Sequence, residues 1–484
     1  MGGALEDTIC AIATPVGEGG IGIVRVSGAR AIGIASQVVR LRSGRSLQSV
    51  KSHTLYYADI LFPRRVAGGA DRLPAHAARS GGDLSIIDEG LVVVMRRPRS
   101  FTAEDVVEFH CHGGLLVLQT LCEALVASGA RLAEPGEFTK RAFLNGRLDL
   151  AQAEAVLDTI RAKTAAGLKL AQDQLRGGLS SEIEAIRESL IRLLAHVEAA
   201  IDFAEEEIAF VQRDELLVTL RQTIDRLSYL LETGREGRIL REGAKVAIIG
   251  RPNVGKSSLM NALLRTDRAI VTSIPGTTRD VLEEILNVKG VPVRLLDTAG
   301  LRDTLDPVEQ EGIRRTRSAI ERADVILAVI DGSQSLSAED YAVLQEIRGK
   351  PSVVVLNKND LPCSVDLTDP AVGEGRAFDA PIVSVSAKTG AGLNELRERL
   401  RGLLVRPDLE AGEGVVVTNL RHQSALVRTR EALVHAVDSV TKALSDEFVA
   451  LDLRAAADAL GEITGAVTTD EILERIFSEF CIGK

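Results

Sequence analysis

The spacing of apolar residues changes along the chain, and each change predicts a different kind of structure. Residues 1–146 contain short β-branched runs separated by glycine-rich turns, as in 21–26 and 90–95, which is typical of an α+β domain. From 147 to 242 apolar residues recur every three or four positions and proline is absent, which predicts amphipathic helices. Between 243 and 405 short apolar runs alternate with helical patterns, and a purely helical pattern then returns.

The order of these regions predicts how the domains are arranged. We expect a multidomain α/β protein in which an α/β domain is inserted into an all-helical domain that is split in sequence. The predicted boundaries are 1–146 for the N-terminal α+β domain, 147–242 for the first helical part, 243–405 for the inserted domain and 406–484 for the second helical part.

Composition excludes several classes of protein. The 484 residues include 58 Lys and Arg against 68 Asp and Glu, a net charge of −10, which argues against nucleic-acid binding over the whole surface but allows local basic patches. The five scattered cysteines predict no disulfide framework and fit a reducing compartment. We find neither an apolar run of about 18 residues nor a secretory signal, so a cytoplasmic protein is expected. A metal site at His110 and His112 is the less favoured interpretation of the His-Cys-His run.

The clearest candidate chemistry follows the apolar run 245–249, where Gly-Arg-Pro-Asn-Val-Gly-Lys-Ser-Ser occupies 250–258. A strand before such a loop and a helix after it let backbone N–H groups surround a β-phosphate. Lys256 would contact the β- and γ-phosphates, and the hydroxyl of Ser257 would bind Mg²⁺. The loop alone indicates a nucleoside triphosphate without identifying the base.

Three further motifs follow in order, each at the end of a predicted strand. Asp-Thr-Ala-Gly at 297–300 brings a carboxylate toward the metal and a backbone N–H toward the γ-phosphate. Asn-Lys-Asn-Asp at 357–360 supplies the Asp360 carboxylate, which accepts hydrogen bonds from N1–H and the 2-amino group of guanine but not from adenine. Ser-Ala-Lys at 386–388 would close over guanine O6. The four motifs predict a GTPase with a Ras-like P-loop G domain.

The residues predicted to bind GTP come from the phosphate loop, the first switch and the three strand-end motifs. They are Asn253, Val254, Gly255, Lys256, Ser257, Ser258, Thr272, Ser273, Ile274, Pro275, Gly276, Thr277, Thr278, Asp297, Thr298, Ala299, Gly300, Asn357, Lys358, Asp360, Ser386, Ala387 and Lys388.

This G domain departs from many small GTPases in two ways. Leu301 follows the Asp-Thr-Ala-Gly motif, where many carry a glutamine that orients the attacking water, and no arginine finger is evident. The first switch at 272–280 contains Thr278, the expected second Mg²⁺ ligand, and is dense in carbonyl groups around a glycine. Another group must therefore position the water, and another cation must stabilise the transition state.

Further motifs extend over nearly the whole chain and carry a resemblance to a known family. They include Gly-Ile-Gly-Ile-Val-Arg at 20–25, Ser-Phe-Thr-Ala-Glu-Asp at 100–105, Pro-Gly-Glu-Phe-Thr at 135–139, Gly-Glu-Ile-Thr-Gly at 461–465 and Cys-Ile-Gly-Lys at 481–484. With these motifs the sequence resembles the tRNA modification GTPases of the MnmE (TrmE) family. The resemblance implies an N-terminal tetrahydrofolate-binding domain, followed by a split helical domain that carries the inserted G domain.

The resemblance also implies a function and partners. The chain would form a homodimer and would act with an FAD-dependent partner of the MnmG (GidA) family. FAD would reside on the partner. Together they would add a carboxymethylaminomethyl-type group at C5 of the tRNA wobble uridine, with a reduced folate supplying the one-carbon unit. The acidic net charge suggests that the partner makes much of the tRNA contact. No membrane association is expected.

By the same resemblance, K⁺ takes the place of an arginine finger when two G domains pair across the nucleotide. The K⁺ ligands would be the side-chain oxygen of Asn253 and the carbonyl oxygens of Thr272, Ile274 and Thr277. Neutral oxygen ligands of this kind suit K⁺. Glu309 would position the attacking water and Arg302 would support its loop, although a solvated charge on a switch helix is the other interpretation of Glu309.

The family's folate contacts fall on Arg25, Glu108, Arg147 and Lys484. A carboxylate such as Glu108 can accept from the N3–H and 2-amino donors of the pterin, and Arg25 and Arg147 suit the carboxylates of the folate tail. Arg147 stands where the family is expected to have lysine. We expect a C-terminal helix extending to Phe480 to bring Lys484 to this pocket, and Cys481 could act as a reactive thiol.

Three other classes of protein were weighed against this interpretation. A ribosome-assembly GTPase would need a basic RNA-binding module beside the G domain, whereas the flanking helices are acidic. A scaffold that uses GTP only as a clamp would bind nucleotide without needing turnover. A membrane-remodelling, dynamin-like protein would need a basic amphipathic helix or an anchor, and neither is evident in the sequence.

Overall fold

A computed structural model of the chain describes residues 7–15, 17–63, 84–202, 213–267, 285–296, 317–365, 380–406 and 414–484. The chain divides into two compact units. The first contains Met1–Leu157 together with Thr464–Lys484, and the second contains Asp158–Thr272 and Arg279–Ile463. In the part of the chain that the structure describes, no helix is both long and apolar enough to cross a membrane.

The first unit is built on a seven-stranded sheet. Its strands are β1 (Ile9–Ile12), β2 (Gly22–Ser27), β3 (Val39–Leu41), β4 (Leu55–Pro63), β5 (Leu84–Met95), β6 (Val106–Cys111) and β7 (Arg131–Leu132). Their order across the sheet is β3-β4-β5-β6-β2-β1-β7, and neighbouring strands are antiparallel except for the parallel pair β1 and β7.

Alternation along β2 and β6 gives the sheet two different faces. Val24, Val26 and Phe109 point into a buried apolar core, while Arg25 and Glu108 lie opposite each other on the other face. The helices of this unit are α1 (Ala31–Ala35), α2 (Leu115–Ala127), α3 (Glu137–Leu144), α4 (Leu150–Arg161), which begins in it, and α13 (Asp470–Ser478). The charged pair on the second face forms the centre of one candidate site.

The second unit contains long helices that fulfil the predicted helical pattern. They are α5 (Ala165–Leu175), α6 (Gly178–Asp202), α7 (Arg213–Glu242), α11 (Leu420–Thr441) and most of α12 (Asp446–Thr464). Although about 180 residues of sequence separate them, α7 and α11 pack together, and Gln423 Nε2 donates to the carbonyl oxygen of Gly234 at 2.9 Å. A Cβ on Gly237 would overlap the backbone of Val417, so this close approach requires glycine.

A six-stranded sheet occupies the part of the second unit that lies between α7 and α11 in chain order. Its strands are β8 (Ala244–Ile249), β9 (Ile285–Val288), β10 (Val291–Leu296), β11 (Val325–Asp331), β12 (Ser352–Asn357) and β13 (Ile382–Ser384). The order is β13-β12-β11-β8-β10-β9, with only the β9–β10 pair antiparallel. The accompanying described helices are α8 (Lys256–Asp267), α9 (Ala338–Glu346) and α10 (Leu393–Leu404).

The central strands of this sheet are covered on both faces, as parallel sheets generally are. Every residue of β11 and β12 is buried. In such a sheet the carboxyl ends of the strands meet at one edge, and ligands bind where the chain runs to opposite sides of the sheet. The loops that follow β8, β11 and β12 lie at that edge.

The structure agrees with the predicted order of secondary structure along the chain, from mixed α and β to helical to alternating α/β. One prediction about the C-terminus is wrong, because α13 ends at Ser478 and Phe480 does not continue the helix. The ring of Phe480 nevertheless packs 5.7 Å from that of Phe477. The domain boundaries at 146/147, 242/243 and 405/406 remain predictions.

Candidate functional site

The phosphate loop leaves the buried end of β8 and turns into α8. Gly250 and Gly255 have φ of +150° and +95°, and Asn253 has +65°, in a region of conformation that glycine and asparagine adopt most readily. A Cβ on Gly255 would overlap the side-chain amide of Asn357, so glycine is needed for this approach. Such a loop ahead of a helix N-terminus is the arrangement that binds phosphate.

Lys256 folds its ammonium group back over the phosphate loop. Its Nζ donates to the carbonyl oxygens of Gly250 and Arg251, both at 2.8 Å. Burial lowers the pKa of Lys256, and a phosphate held in the loop would favour the charged form again. Ser257 and Ser258 follow in the first turn of α8 and are exposed, which leaves the Ser257 hydroxyl accessible to a metal ion.

Two consecutive residues at the end of β12 hold the phosphate loop from the side. Asn357 donates from Nδ2 to the carbonyl oxygen of Val254 at 2.8 Å, and its Oδ1 accepts from the N–H of Ala387 at 3.0 Å. Lys358 donates from Nζ to the carbonyl oxygen of Asn253 at 3.2 Å. Three of the predicted motifs are therefore joined by direct hydrogen bonds.

The predicted base-reading carboxylate is exposed and held in place by one hydroxyl. Ser386, which is fully buried, donates from Oγ to Asp360 Oδ1 at 2.7 Å. This hydrogen bond, assisted by the charges of Lys388 and Lys358, lowers the pKa of Asp360. The group is thus an ionised acceptor at neutral pH, as recognition of the two guanine donors requires.

Several predicted residues fall outside the described part of the chain. These are the first switch (Thr272, Ser273, Ile274, Pro275, Gly276, Thr277 and Thr278), the second motif (Asp297, Thr298, Ala299 and Gly300), and Arg302 and Glu309. Of the predicted K⁺ ligands, Asn253 is described, and its side chain is exposed beside the phosphate loop. Of the predicted Mg²⁺ ligands, Ser257 is described. The assigned roles of all these residues stay predictions.

A second candidate site lies on the charged face of the seven-stranded sheet. Arg25 on β2 pairs with Glu108 on β6, with Nε 2.8 Å from Oε1. The guanidinium of Arg25 also lies 5.6 Å from the ring centroids of Phe101 and Phe138. Two of the four predicted folate contacts therefore form one mostly buried ion pair between aromatic rings.

The loop that carries Phe101 is fixed by several polar contacts. Arg147 donates to the carbonyl oxygen of Phe101 at 2.8 Å, and its guanidinium lies 5.1 Å from the centroid of that ring. Asn145 donates to the carbonyl oxygen of Thr102 at 2.7 Å. Burial lowers the pKa of Arg147. This predicted contact therefore lies beside the same aromatic ring as Arg25.

The C-terminal tail reaches the same place. Ile482 bridges to Pro135, and Gly483 has φ of +96° with its Cα so close to β1 that a Cβ would overlap the carbonyl of Ile12. Lys484 is close enough to Arg25 and Glu108 to interact with both. Burial lowers the pKa of Lys484, the Arg25 charge adds to the effect, and Glu108 opposes it. The structure therefore brings Lys484 together with residues more than 370 positions away in sequence.

Two residues near this site were not predicted to belong to it. His110 is on the same face of β6 as Glu108, and its buried Nε2 has no hydrogen-bond partner among the described residues, although Glu108 Oε2 lies 3.5 Å away. An unpartnered buried nitrogen at the edge of a pocket suits a ligand atom. Alternation along a predicted strand could have identified His110, since it follows Glu108 by two positions.

Arg141 is the other residue that the sequence did not reveal. It is 1% exposed and contacts Asp7, Glu104 and Glu137 through its guanidinium at 2.6 to 3.2 Å. This network anchors the base of the loop that carries Phe101. The alternative metal interpretation gains no support, because His112 hydrogen-bonds to Asp88 and no cluster of metal-binding side chains occurs among the described residues.

The fold and the first site define the class of protein. The phosphate loop lies between a central strand and a helix, and it is hydrogen-bonded to an Asn-Lys-x-Asp motif that supplies the ionised Asp360. This combination is the site of a P-loop GTPase.

Comparisons with known proteins identify the family. A model described as "GTP-binding protein TrmE N-terminus" matches residues 8–147, and one described as "MnmE helical domain" matches residues 150–481. Proteins named tRNA modification GTPase MnmE are 49% identical in Heliobacterium modesticaldum (99% of each chain), 44% in Thermoanaerobacter pseudethanolicus (99% of each) and 47% in Geobacter metallireducens (99% of this chain and all of that one). The chain belongs to the MnmE family of tRNA modification GTPases.

Proposed function

We propose that the chain is a K⁺-dependent GTPase that is activated when two G domains pair, and that it works with an FAD-dependent protein of the MnmG type on tRNA. The pair would add a carboxymethylaminomethyl-type group at C5 of the wobble uridine. Family membership establishes GTP hydrolysis in tRNA modification. The observation that carries the finer proposal is the convergence of Arg25, Glu108 and Lys484 on one pocket in a GTPase.

In the nucleotide site each described residue has a role that follows from its contacts. On binding nucleotide, Lys256 would exchange the carbonyl oxygens of its own loop for the β- and γ-phosphates, and Ser257 with Thr278 would hold Mg²⁺, which would neutralise phosphate charge. Asp360 selects guanine because an adenine would leave its ionised carboxylate without two donors. These roles fit the geometry of a triphosphate lying over the N-terminus of α8.

We infer that the catalytic cation is held partly by Asn253. Lys358 fixes the backbone of that residue, and its exposed side chain would be accessible to a partner G domain. Carbonyl oxygens of Thr272, Ile274 and Thr277 would complete the K⁺ site. Glu309 would orient the water, with Arg302 supporting its loop, since Leu301 offers no polar group for that task.

In the second site the residues fit a reduced folate. The free edge of Glu108 accepts from the pterin donors while Arg25 holds the carboxylate in orientation, and the aromatic rings of Phe101 and Phe138 border the same space. Lys484 and Arg147 supply positive charge for the folate tail. When bound, the folate supplies a one-carbon unit. FAD would remain on the partner, and this chain would form a homodimer that works with the partner in the cytoplasm.

The test of the GTPase proposal compares turnover in KCl and NaCl at matched ionic strength over a range of protein concentrations. We expect turnover to rise strongly in KCl and with concentration, since an arginine finger is worth roughly 10³–10⁵ in rate and K⁺ replaces part of that. Asn253→Ala should remove the difference between the two salts. Glu309→Ala should slow turnover with nucleotide binding intact.

The matched control for Asn253→Ala is Asn359→Ala, because Asn359 is exposed near the base but is not a proposed cation ligand. Equal rates in KCl and NaCl would exclude the K⁺ mechanism. A titration with a reduced folate, run alongside, tests the second site independently, and Glu108→Gln should weaken binding there without changing turnover.

A further inference from the structure

The N-terminal region of this acidic chain carries a small net positive charge. Residues 1–146 contain 16 basic and 14 acidic side chains, a net charge of +2, in a chain whose total is −10. Five basic residues lie close together in the described part of this region. They are Arg45, Lys51, Arg96, Arg97 and Arg99, and we call them the basic turn surface.

Hydrogen bonds between two turns bring these residues together. The turn that precedes β4 packs against the end of β5, where the N–H of Arg96 donates to Ser52 Oγ at 3.1 Å and its guanidinium donates to the carbonyl oxygen of Gln48 at 2.6 Å. The N–H of His53 donates to the carbonyl oxygen of Val94 at 2.8 Å. Lys51 therefore lies beside the turn that contains Arg97 and Arg99.

The charges of this surface are not neutralised by neighbours in the described part of the chain. Arg45, Lys51, Arg97 and Arg99 are exposed, and none of them forms an ion pair with a described residue. The one carboxylate that hydrogen-bonds in this turn, Asp105, accepts from the backbone N–H of Arg97.

The adjacent strand shows the opposite arrangement. Arg40 on β3 and Arg42 just after it both pair with Asp59, and Arg42 also pairs with Glu89. These two arginines thus have carboxylate partners, whereas the basic turn surface is left free to meet an external anion.

The surface adjoins the proposed folate pocket. Arg99 precedes Phe101 by two residues, so their Cα atoms are at most about 7 Å apart. The ring centroid of Phe101 lies 5.6 Å from the guanidinium of Arg25 and 5.1 Å from that of Arg147. A polyanion lying on the basic turn surface would therefore pass beside the site from which a one-carbon unit is delivered.

We propose that the basic turn surface binds the phosphate backbone of the tRNA substrate and places its anticodon loop beside the folate pocket. The proposal rests on the proposed function, because it gives the tRNA of that reaction a contact on this chain. Exposed arginines without protein partners are the usual ligands of phosphate in RNA loops, while sequence is recognised elsewhere. The contact supplements binding by the flavoprotein partner.

The experiment measures the affinity of the full chain for an anticodon stem–loop RNA with an unmodified wobble uridine, by fluorescence anisotropy at several KCl concentrations. Each lost phosphate contact should reduce the slope of log affinity against log salt by about 0.7–0.9. Arg97→Ala with Arg99→Ala should therefore make the slope shallower by about 1 to 2 and weaken binding about tenfold at low salt. Arg97→Lys with Arg99→Lys should keep most of the slope.

The matched control removes two exposed arginines from the helical part that form no ion pair with a described residue, by Arg176→Ala with Arg221→Ala. It should leave the slope unchanged, and an equal loss there would overturn the proposal in favour of a net-charge effect. An unchanged slope in the turn variant, or no RNA binding by the unsubstituted chain at low salt, would overturn it as well.

Two further measurements separate the alternatives. GTP turnover and folate affinity should be unchanged in the turn variant, and if both fall, Arg45→Ala with Lys51→Ala provides a second test of the same surface. Loss of the complex with the flavoprotein, with the RNA slope unchanged, would assign the surface to a protein partner and overturn the proposal. If the unsubstituted chain binds no folate, the folate part of the proposed function fails, whereas the salt slope still decides the RNA contact.

Discussion

The ammonium group of Lys358 lies 2.6 Å from a carboxylate oxygen of Asp331, at the end of β11. Asp331 is 2% exposed, and Ser333 donates two further hydrogen bonds to its other oxygen. Although burial opposes ionisation, the hydrogen bonds from Lys358 and Ser333 lower the pKa of Asp331. Because Lys358 also bonds to the carbonyl of Asn253, a fixed anion on β11 determines where β12 holds the phosphate loop.

We expect Asp331→Asn to weaken nucleotide binding about tenfold. The neutral amide cannot hold the ammonium as a carboxylate does, and a hydrogen bond to a charged group is worth about 1.5–3 kcal/mol. The measurement is a titration with a fluorescent GDP analogue. Ser333→Ala is the control, since it removes a partner of Asp331 that does not touch the loop, and its effect should be smaller. Affinity of Asp331→Asn within twofold of the unsubstituted chain would show that Lys358 keeps its position without Asp331.

The sequence predicted the nucleotide site better than it predicted the contacts that support it. The G motifs are contiguous and follow buried strands, so parallel-sheet geometry alone brings Asn357, Lys358 and Ser386 to one edge. Asp331 belongs to no motif. Its role depends on the strand order beside β12, and the local sequence pattern does not determine that order. Arg141 was missed for a similar reason, because its carboxylate partners are up to 134 residues away.

The second site shows the same limit. Alternation in β2 and β6 predicts that Arg25 and Glu108 each face away from the core, but the ion pair depends on strand register, which the sequence leaves open. The family resemblance predicted that Lys484 belongs to this site, whereas the path of the C-terminal tail along β1 could be seen only in the structure. The helix was predicted to reach Phe480 because apolar spacing continues past Ser478. Phe480 lies beyond the end of the helix but is still buried, in a cluster that contains Leu473 and Phe477.

We expect Asp360→Asn to change the preferred base. An amide can donate to the 2-oxo group of xanthine but cannot accept from both donors of guanine, so GTP affinity should fall at least about 100-fold while xanthosine triphosphate binds better. Competition titrations with both nucleotides measure the change. Asp324→Asn is the control for a general loss of folding, because Asp324 bonds to Arg238 and to the N–H of Lys245 at the end of β8 opposite the phosphate loop. Unchanged GTP affinity would show that Asp360 does not recognise the base.

The Arg141 network predicts how the first unit responds to acid. Burial raises the pKa of Asp7, but hydrogen bonds from Arg131 and Arg141 lower it further than burial raises it. Burial likewise raises the pKa of Glu137, and hydrogen bonds from the same two arginines and from the N–H of Glu134 lower it. The folded-state pKa values of Asp7 and Glu137 thus lie below their ordinary values of 3.8 and 4.5. The stability that these ionised carboxylates contribute is fully present above the ordinary values, and it is lost as the pH falls through the lowered folded-state values. Protection of β1 and β2 amides from hydrogen exchange should therefore decline below about pH 4.

Arg141→Met should reverse this pH dependence. The variant leaves clustered carboxylates without a buried cation, which costs about 3–5 kcal/mol at neutral pH, and mild acid should relieve part of the repulsion. Arg30→Ala, which removes an arginine bound to a carbonyl group, should keep the original profile. A variant that loses protection in acid just as the unsubstituted chain does would show that Arg141 does not control these carboxyl groups.

The lowered pKa of Lys484 predicts a pH effect on folate binding. The proton is lost at a lower pH than the ordinary 10.5, because burial and Arg25 disfavour the charged form. Affinity for an anionic folate should therefore decline as the solution becomes alkaline, before a free lysine would titrate. Lys484→Arg should bind folate with little dependence on alkaline pH, since a guanidinium remains protonated.

Deletion of residues 481–484 tests the whole tail. The bridge from Ile482 to Pro135 and the close approach of Gly483 to Ile12 hold Lys484 beside Arg25 and Glu108, so the deletion removes a cation from the pocket and opens it to water. We expect folate binding to weaken at least about tenfold and tRNA modification to be lost. K⁺-stimulated GTP turnover should survive, because the tail belongs to the unit that lacks the phosphate loop.

A second variant separates the position of the tail from its charge. Gly483→Ala keeps Lys484 but forces a Cβ into the carbonyl of Ile12 at a φ of +96°, so it should weaken folate binding as Lys484→Met does. If the truncated chain binds a reduced folate as tightly as the intact one, the tail is not part of the site. Loss of modification with folate binding intact would instead assign the essential function to the exposed thiol of Cys481, and Cys481→Ser would then reproduce the defect.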